Sequence, residues 1–261
     1  MPIANLHTSC ALYNTKIIIA KYKRMNNKFE SPQLGIPQPP KGNPENICAN
    51  SEHFYDYPVR IAIQKSGHLS EISRKYFSEM LGCEIPDYSK LKPLKTNIQG
   101  AGIVYARNHD VLSLIEQRSV THGIVGTDQL IESGYGHLLG FETSYVAPKR
   151  VSIKEHLETT QAWEIKLLTH KNHAKALAEI STIATSYPVL AQLFLQQIGQ
   201  QKNIIPITGA VEGIVGLQSN TELIDACIEL VVTGGTSTMN ELIAWNPAIF
   251  EIHPVVIGTA D

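Results

Sequence analysis

The sequence predicts an α/β fold built around a largely parallel sheet. From residue 59 onward, short runs of β-branched residues alternate with amphipathic helical patterns, which is typical of α/β layers. The chain has 261 residues, of which 43% are hydrophobic, so it can bury one large core or two smaller ones. Residues 31–46 differ, because their proline, glycine and polar side chains supply no packing face. Residues 1–57 are therefore predicted to form a poorly ordered extension or linker.

Eight segments have the β-branched and apolar composition of strands. They are residues 59–63, 101–106, 122–126, 165–169, 182–185, 203–207, 226–232 and 249–257. Two segments between them are predicted to be helices. Residues 69–81 place apolar side chains near helical spacing before Gly82, and residues 188–199 run from Pro188, whose φ suits a first turn, to Gly199.

Composition and charge exclude several classes of function. The formal net charge of −2 leaves no clustered Lys and Arg surface for nucleic acid. No apolar run is long enough to cross a bilayer, so we expect a cytoplasmic protein with no membrane association. The cysteines are too far apart for a zinc knuckle or a redox dithiol; they are Cys10, Cys48, Cys83 and Cys227.

Four loops lie at predicted carboxyl ends of strands, where ligands of open α/β sheets bind. They read QKSGHL, VGTD, ATSYP and VTGGTST, at residues 64–69, 125–128, 184–188 and 232–238. Backbone N–H groups at a helix start form an anion site, and glycine lets the anion approach the main chain. These loops are therefore predicted to handle anions.

VTGGTST is the loop best suited to a phosphate, because glycines open its backbone and hydroxyls add donors. Its predicted substrate-binding residues are Thr233, Gly234, Gly235, Thr236, Ser237 and Thr238. Glu229, just before the loop, could accept hydrogen bonds from sugar hydroxyls. An ordinary strand-to-helix turn with a Ser or Thr N-cap is the other interpretation.

Three further residues are candidates at the same kind of loop. Lys65 can present a point charge to a phosphate, and Gly67 permits a tight turn beside it. Glu212, in ITGAVEG, is either a ligand-binding carboxylate or a helix-capping one. A solvated lysine is the other interpretation of Lys65.

Taken in order, six blocks of the sequence resemble the catalytic chain of ATP phosphoribosyltransferase, the first enzyme of histidine biosynthesis. They are VRIAIQKSGHLSEIS (59–73), IVYARNHDVLSLIE (103–116), GIVGTDQLIESG (123–134), TIATSYPVLAQLFLQQIG (182–199), ITGAVEG (207–213) and DACIELVVTGGTST (225–238). The resemblance implies a two-lobed fold like that of type II periplasmic binding proteins, with a central cleft. Residues 58–162 plus 244–261 would form one lobe and residues 163–243 the other.

The resemblance also implies a reaction and a site. The enzyme family is a glycosyltransferase that joins N1 of ATP to C1 of phosphoribosyl pyrophosphate, releasing pyrophosphate with Mg²⁺. VTGGTST would bind the 5-phosphate and Glu229 the ribose, while Lys65 would face the nucleotide or pyrophosphate; Arg107 is a further substrate-binding residue. We therefore expect a phosphoribosyltransferase that acts on ATP or on another nucleotide-like acceptor, with Glu229 and Lys65 as catalytic residues.

The sequence departs from the family at several positions. Glu229 replaces the usual Asp, Ser237 replaces Leu or Met, and His68 and Thr182 each stand where an Arg is usual. Loss of cations leaves a second hypothesis, a weak or inactive homologue that binds a small ligand or serves as a regulatory subunit. We expect a homo-oligomer, with a regulatory subunit as a further partner.

Overall fold

The computed structural model describes residues 51–88, 95–98, 100–158, 163–173, 175–209, 211–215, 218–219, 222–232 and 239–260. These residues form two compact α/β units. The first unit contains the described residues up to Leu130, together with Val146–Glu158 and those from Pro254 onward. The second contains Ile131–Tyr145 and the described part of Thr159–His253.

The described residues contain fourteen strands and four α-helices. The strands are β1 (Arg60–Gln64), β2 (Lys95–Ile98), β3 (Ala101–Ala106), β4 (His122–Gly126), β5 (Val151–His156), β6 (Trp163–His170), β7 (Thr182–Thr185), β8 (Asn203–Pro206), β9 (Gln218–Ser219), β10 (Glu222–Leu223), β11 (Ala226–Val231), β12 (Leu242–Ala244), β13 (Phe250–Ile252) and β14 (Pro254–Thr259). The helices are α1 (His68–Leu81), α2 (Asn108–Glu116), α3 (Thr127–Leu130) and α4 (Pro188–Gln197). No helix in this part of the chain is long and apolar enough to cross a membrane.

The first unit is a six-stranded sheet in the order β2-β3-β1-β4-β14-β5. Its centre is parallel, because β1 pairs in parallel with β3 and with β4, whereas β2, β14 and β5 are antiparallel to their neighbours. Ile61, Ala62 and Ile63 of β1 are fully buried, as expected for a strand covered on both faces. Because these central strands are parallel, the carboxyl ends of β1, β3 and β4 lie at the same end of the sheet.

The second unit has a mixed sheet in the order β12-β6-β11-β7-β8, and β13 also pairs with β6. β7 is parallel to β11 and to β8, while β6 is antiparallel to its partners. Buried side chains from β6, β7 and β11 form a core with the segment around residue 213. They include Leu168, Ala184, Val211, Val215, Ile224, Cys227 and Leu242.

The ends of the two long helices follow the sequence signals. Gly82 ends α1 in the left-handed region with φ 68°. Pro188 is the first residue of α4, and Gly199 follows its end with φ 66°. Both predicted helices are therefore confirmed to within two residues.

The predicted strand at residues 249–257 is two strands that join different sheets. Phe250–Ile252 pairs with β6 in the second unit, whereas Pro254–Thr259 pairs with β4 and β5 in the first. The composition is apolar throughout, so periodicity alone gives no break at His253.

Ile131–Tyr145 and Phe250–Ile252, which the sequence analysis grouped with the first half of the chain, lie in the second unit. β12 and β13 are hydrogen-bonded to β6, and Phe141 packs on Phe250 with ring centroids 6.0 Å apart. Part of the predicted extension also packs against the first sheet. Residues Ser51–Asp56 form a 3₁₀ helix whose Phe54 is 5% exposed, and a Cβ on Gly102 would come within 2.8 Å of its ring.

Candidate functional site

Lys65, Gly67 and Arg107 lie in loops at the carboxyl ends of the parallel strands of the first sheet. Lys65 directly follows β1, and its N–H donates to Ala106 O at 2.9 Å, so β1 and β3 stay paired up to this edge. Gly67 precedes α1 with φ 85°, a conformation that favours glycine. Arg107 is exposed in extended backbone immediately before α2. The structure thus places these three predicted residues in loops at the carboxyl ends of neighbouring strands.

A network of side-chain amides, of which Gln64 is buried, joins these loops. Gln64, the last residue of β1, is 1% exposed; its Nε2 donates to Ile124 O at 2.6 Å and to Asn108 Oδ1 at 3.5 Å. Its Oε1 accepts a hydrogen bond from Ser73 Oγ at 2.8 Å. Gln129 Nε2 donates to Asn108 O at 3.1 Å. The network fixes the residues next to Lys65 and Arg107, and its only sequence signal is a glutamine that ends an apolar strand.

The Lys65 ammonium lies over an aromatic ring. Its Nζ is 5.3 Å from the centroid of the Tyr88 ring. Within the described part of the chain, no carboxylate forms an ion pair with Lys65. Lys65 is therefore held at the carboxyl end of β1 with no carboxylate partner among the described residues.

Asp128 is a buried acid that the sequence analysis did not single out. It lies in α3, directly after β4, and is 9% exposed. Burial raises the pKa of its carboxyl to about 6, although the backbone N–H groups of Gln129 and Asp128 act in the opposite direction. Its position in VGTD, after a predicted strand, was the available signal.

Glu229 is a buried carboxylate near the end of β11. It is 9% exposed, and its Oε1 accepts a hydrogen bond from Leu230 N at 3.0 Å. Lys166 of β6 lies directly opposite Glu229, so both side chains are on the same face of the sheet. Lys166 Nζ contacts Glu164 Oε2 at 2.7 Å and donates to Asn246 Oδ1 at 3.4 Å. Glu229 is thus placed beside a basic residue on a mostly buried face.

Glu212 lies near the same strand. It begins the 3₁₀ helix Glu212–Ile214, between Val211 and Val215, which pack in one core with Cys227. Burial raises the pKa of the Cys227 thiol, and the nearby carboxylates of Glu229 and Glu212 raise it further. Both predicted carboxylates therefore lie near Cys227, with Glu229 two residues along β11 from it.

The VTGGTST loop lies almost wholly outside the described residues, between Val232 and Met239. The assignment of phosphate-binding roles to its residues stays a prediction. They are Thr233, Gly234, Gly235, Thr236, Ser237 and Thr238.

The ATSYP loop does not provide the open anion site expected from sequence. The Glu132 carboxylate accepts hydrogen bonds from Val189 N at 3.0 Å and from Leu190 N at 2.8 Å, at the start of α4. An internal carboxylate thus already satisfies the helix N-terminus. The sequence did not indicate this contact, because Glu132 is 57 residues from Val189.

Metal ligands are sparse in the described part of the chain, which contains no group of three His, Cys, Asp or Glu side chains that could hold an ion. Mg²⁺ in phosphate sites is usually bound by one or two carboxylates, water and substrate oxygens. Glu212 and Glu229 are of the donor type that this coordination uses.

Comparison with known proteins connects this arrangement to one family. The family model described as ATP phosphoribosyltransferase matches residues 107–261, more than half of the chain. The ATP phosphoribosyltransferase of Methanopyrus kandleri is 24% identical over 189 residues, which cover 70% of this chain and 59% of that protein. That of Sulfolobus acidocaldarius is 25% identical over 200 residues, covering 77% and 65%. The chain thus spans about three fifths of the length of these relatives.

A solved structure shares the fold. The ATP phosphoribosyl transferase (HisG:HisZ) complex from Thermotoga maritima contains a chain that matches with a TM-score of 0.54 and 21% identity, over 77% of this chain and 87% of that one. The predicted α/β fold of the type II periplasmic-binding-protein kind is confirmed, with mixed rather than largely parallel sheets. With a family model matched over more than half its length, the chain belongs to the ATP phosphoribosyltransferase family.

Proposed function

We propose that this protein is a phosphoribosyltransferase that joins the ribose 5-phosphate of phosphoribosyl pyrophosphate to N1 of ATP, the first step of histidine biosynthesis. The observation that carries this proposal is the family match, which includes Glu229 and the whole VTGGTST loop. The buried carboxylate at the end of β11 supports it, because a sugar site needs an acceptor beside its phosphate donors.

The second unit binds the phosphoribosyl group in this proposal. Glu229 accepts hydrogen bonds from ribose hydroxyls, and Glu212, near the same thiol, is a second acceptor. The loop residues 233–238 supply backbone and hydroxyl donors to the 5-phosphate. Lys166, opposite Glu229, provides a positive charge on the face that carries this acid.

The first unit binds the nucleotide or pyrophosphate side. Lys65 and Arg107 are cations at one sheet edge, and Gly67 permits the turn between Lys65 and α1. Because the amide network fixes the adjacent residues, these cations need little reordering when a polyanion binds.

The chemistry requires a bond from N1 of ATP to C1 of the ribose and cleavage of the bond between C1 and the pyrophosphate oxygen. The leaving pyrophosphate takes the electron pair of that bond. Such a step depends on positioning and on stabilising the developing charges, which suits cations and hydrogen-bond donors rather than a protein nucleophile. When bound, Mg²⁺ would neutralise charge on the diphosphate, with Glu212 and Glu229 as carboxylates able to approach it.

Turnover tests the proposal. Purified protein is incubated with Mg²⁺, ATP and phosphoribosyl pyrophosphate, and pyrophosphate and the N1-ribosylated nucleotide are measured. We expect both products in equal amounts, and their near absence with Glu229→Gln. Glu79→Gln, at an exposed position of α1, is the matched control and should retain activity. Binding of both substrates with no product would instead identify the inactive homologue.

The partners follow from the same proposal. The similar structure is that of a complex, and we propose that this chain forms a homo-oligomer and binds a regulatory subunit in the cytoplasm. Light scattering of the purified chain should give a mass above 28.8 kDa, and a monomer at all concentrations would contradict the homo-oligomer.

A further inference from the structure

We propose that Tyr88 is a positioning residue that holds the Lys65 ammonium ready for an anionic ligand without neutralising it. This inference rests on the proposed role of Lys65 in binding phosphates. Tyr88 lies outside the sequence blocks that resemble the family, so the contact between the two side chains is its sole indication.

The contact has the geometry of a cation–π interaction. Lys65 Nζ lies 5.3 Å from the Tyr88 ring centroid, within the range in which the ring quadrupole attracts an ammonium. Lys65 has no ion-pair partner among the carboxylates of the described residues. The ring is therefore the group that the structure shows to orient this ammonium.

An aromatic ring and a carboxylate would prepare a lysine differently. A carboxylate would orient the ammonium but would also cancel its charge, and a phosphate would have to compete with it. The face of a ring carries no net charge, so Lys65 keeps its full positive charge for a ligand. Fewer side-chain rotamers then remain to be frozen when the anion binds.

Tyr88 is itself fixed by its neighbours in the first unit. Its ring packs on Tyr105 of β3, with centroids 5.5 Å apart. Tyr105 is 2% exposed, and its hydroxyl donates to Pro86 O at 2.7 Å. Arg74 of α1 contacts the Asp87 carboxylate at 3.4 Å. Three successive residues, Pro86, Asp87 and Tyr88, are thus held by contacts with β3 or α1.

Lys65 is fixed to the same strand by its backbone. Its N–H donates to Ala106 O, the residue after Tyr105. The main chain of Lys65 and the Tyr88 ring below its ammonium are therefore both held in place by contacts with β3. This common support makes the contact a built feature of the site rather than a chance approach of two surface side chains.

Calorimetric titration with inorganic pyrophosphate tests the role. We expect Tyr88→Leu to raise the Kd about two- to fivefold, which corresponds to an exposed cation–π contact. Tyr88→Phe keeps the ring and should restore the wild-type Kd. In a Lys65→Met background, Tyr88→Leu should cause no further change, because its effect acts through the ammonium. Tyr55→Leu, at a ring in a residue that is 66% exposed, is the control and should leave the Kd unchanged.

A measurement without ligand accompanies the titration. The ε-methylene signal of Lys65 in a proton–carbon NMR spectrum, assigned with Lys65→Arg, should be shifted upfield by the ring current. That shift should vanish in Tyr88→Leu and persist in Tyr88→Phe.

The outcomes separate this inference from the proposed function. A wild-type Kd for Tyr88→Leu, an equal rise in the Lys65→Met background, absence of the ring-current shift or no pyrophosphate binding by the wild type overturns it. If the coupling is present but ATP and phosphoribosyl pyrophosphate give no product, the inference stands and the proposed transferase activity falls.

Discussion

The carboxyl ends of the two sheets hold their charged side chains in different ways. In the first unit, Lys65 and Arg107 stand on a frame of neutral amides and aromatic rings, and Lys65 is oriented by Tyr88. In the second unit, Glu229 lies buried opposite Lys166, which itself contacts Glu164. The first arrangement leaves a positive charge for a ligand, whereas the second pairs a base with an acid inside the protein.

Because of this difference, substitutions in one unit should affect mainly stability and those in the other mainly ligand binding. Removing a charge that balances buried acids leaves them uncompensated, so the folded state suffers. Removing a charge that faces solvent costs the fold little and affects the ligand instead. Substitution of Lys166 in the second unit should therefore lower stability, whereas substitution of Lys65 in the first unit should lower ligand affinity.

The largest effect on stability is expected from Lys166→Met. Its side chain is 15% exposed, and its loss leaves Glu164 and Glu229 without the adjacent cation. We expect a loss of about 2–4 kcal/mol in the free energy of unfolding, below the cost for a fully buried pair because Glu164 is 35% exposed. Urea denaturation measures it. Lys65→Met, the matched control in the first unit, should change stability by less than about 0.5 kcal/mol; equal losses would remove the distinction between the two edges.

Asp128→Asn should raise stability at neutral pH. The folded-state pKa of about 6 is above the ordinary value, so the folded chain binds an extra proton between about pH 4 and pH 6. The stability from this group is present below pH 4 and is lost as the pH rises through 6. We expect a gain on the order of 2 kcal/mol at pH 8 and little change at pH 4. Thermal unfolding at the two pH values checks it, and an equal effect at both would contradict the assignment.

A smaller loss is expected from Gln64→Met, which keeps the volume but removes the amide. Ile124 O and Ser73 Oγ then lose a buried partner, at about 1–2 kcal/mol of stability. Because Asn108 Oδ1 also loses the contact with Gln64, pyrophosphate affinity should fall as well. Ser73→Ala removes one hydrogen bond and leaves Asn108 held, so it should reduce stability without weakening pyrophosphate. Identical binding losses in both variants would show that the network acts through stability alone.

The sequence predicted the strands and helices whose composition, glycines and prolines mark their ends locally. Three strands, at residues 101–106, 122–126 and 182–185, have the predicted bounds, and Gly82 and Pro188 mark helix ends as expected. β5 was missed because its burial is partial along the strand, and α2 because its nine residues follow directly on an apolar strand. The break at His253 depends on pairing with two different sheets, which no local pattern encodes.

Some residues of the candidate site could be predicted from the sequence and others could not. Lys65, Glu212 and Glu229 could be found, because each is a charged residue at a loop or strand end that resembles a family block. Tyr88, Gln64 and Glu132 could not, because their roles arise from contacts such as the one between Glu132 and Val189. The sequence indicates which charges are present; the fold determines which of them are already used.

Two pairs of dissociation constants test whether the second unit binds the phosphoribosyl group and the first unit binds the nucleotide. Calorimetry is performed with phosphoribosyl pyrophosphate and with ATP on the Glu229→Gln and Lys65→Met variants. We expect Glu229→Gln to weaken phosphoribosyl pyrophosphate about tenfold or more and to leave ATP within about twofold, since a hydrogen bond to a charged group is lost. Lys65→Met should raise the Kd of ATP by a larger factor than Glu229→Gln does, because Lys65 faces the nucleotide or pyrophosphate. If both variants weaken the two ligands equally, or neither weakens any, the assignment is contradicted.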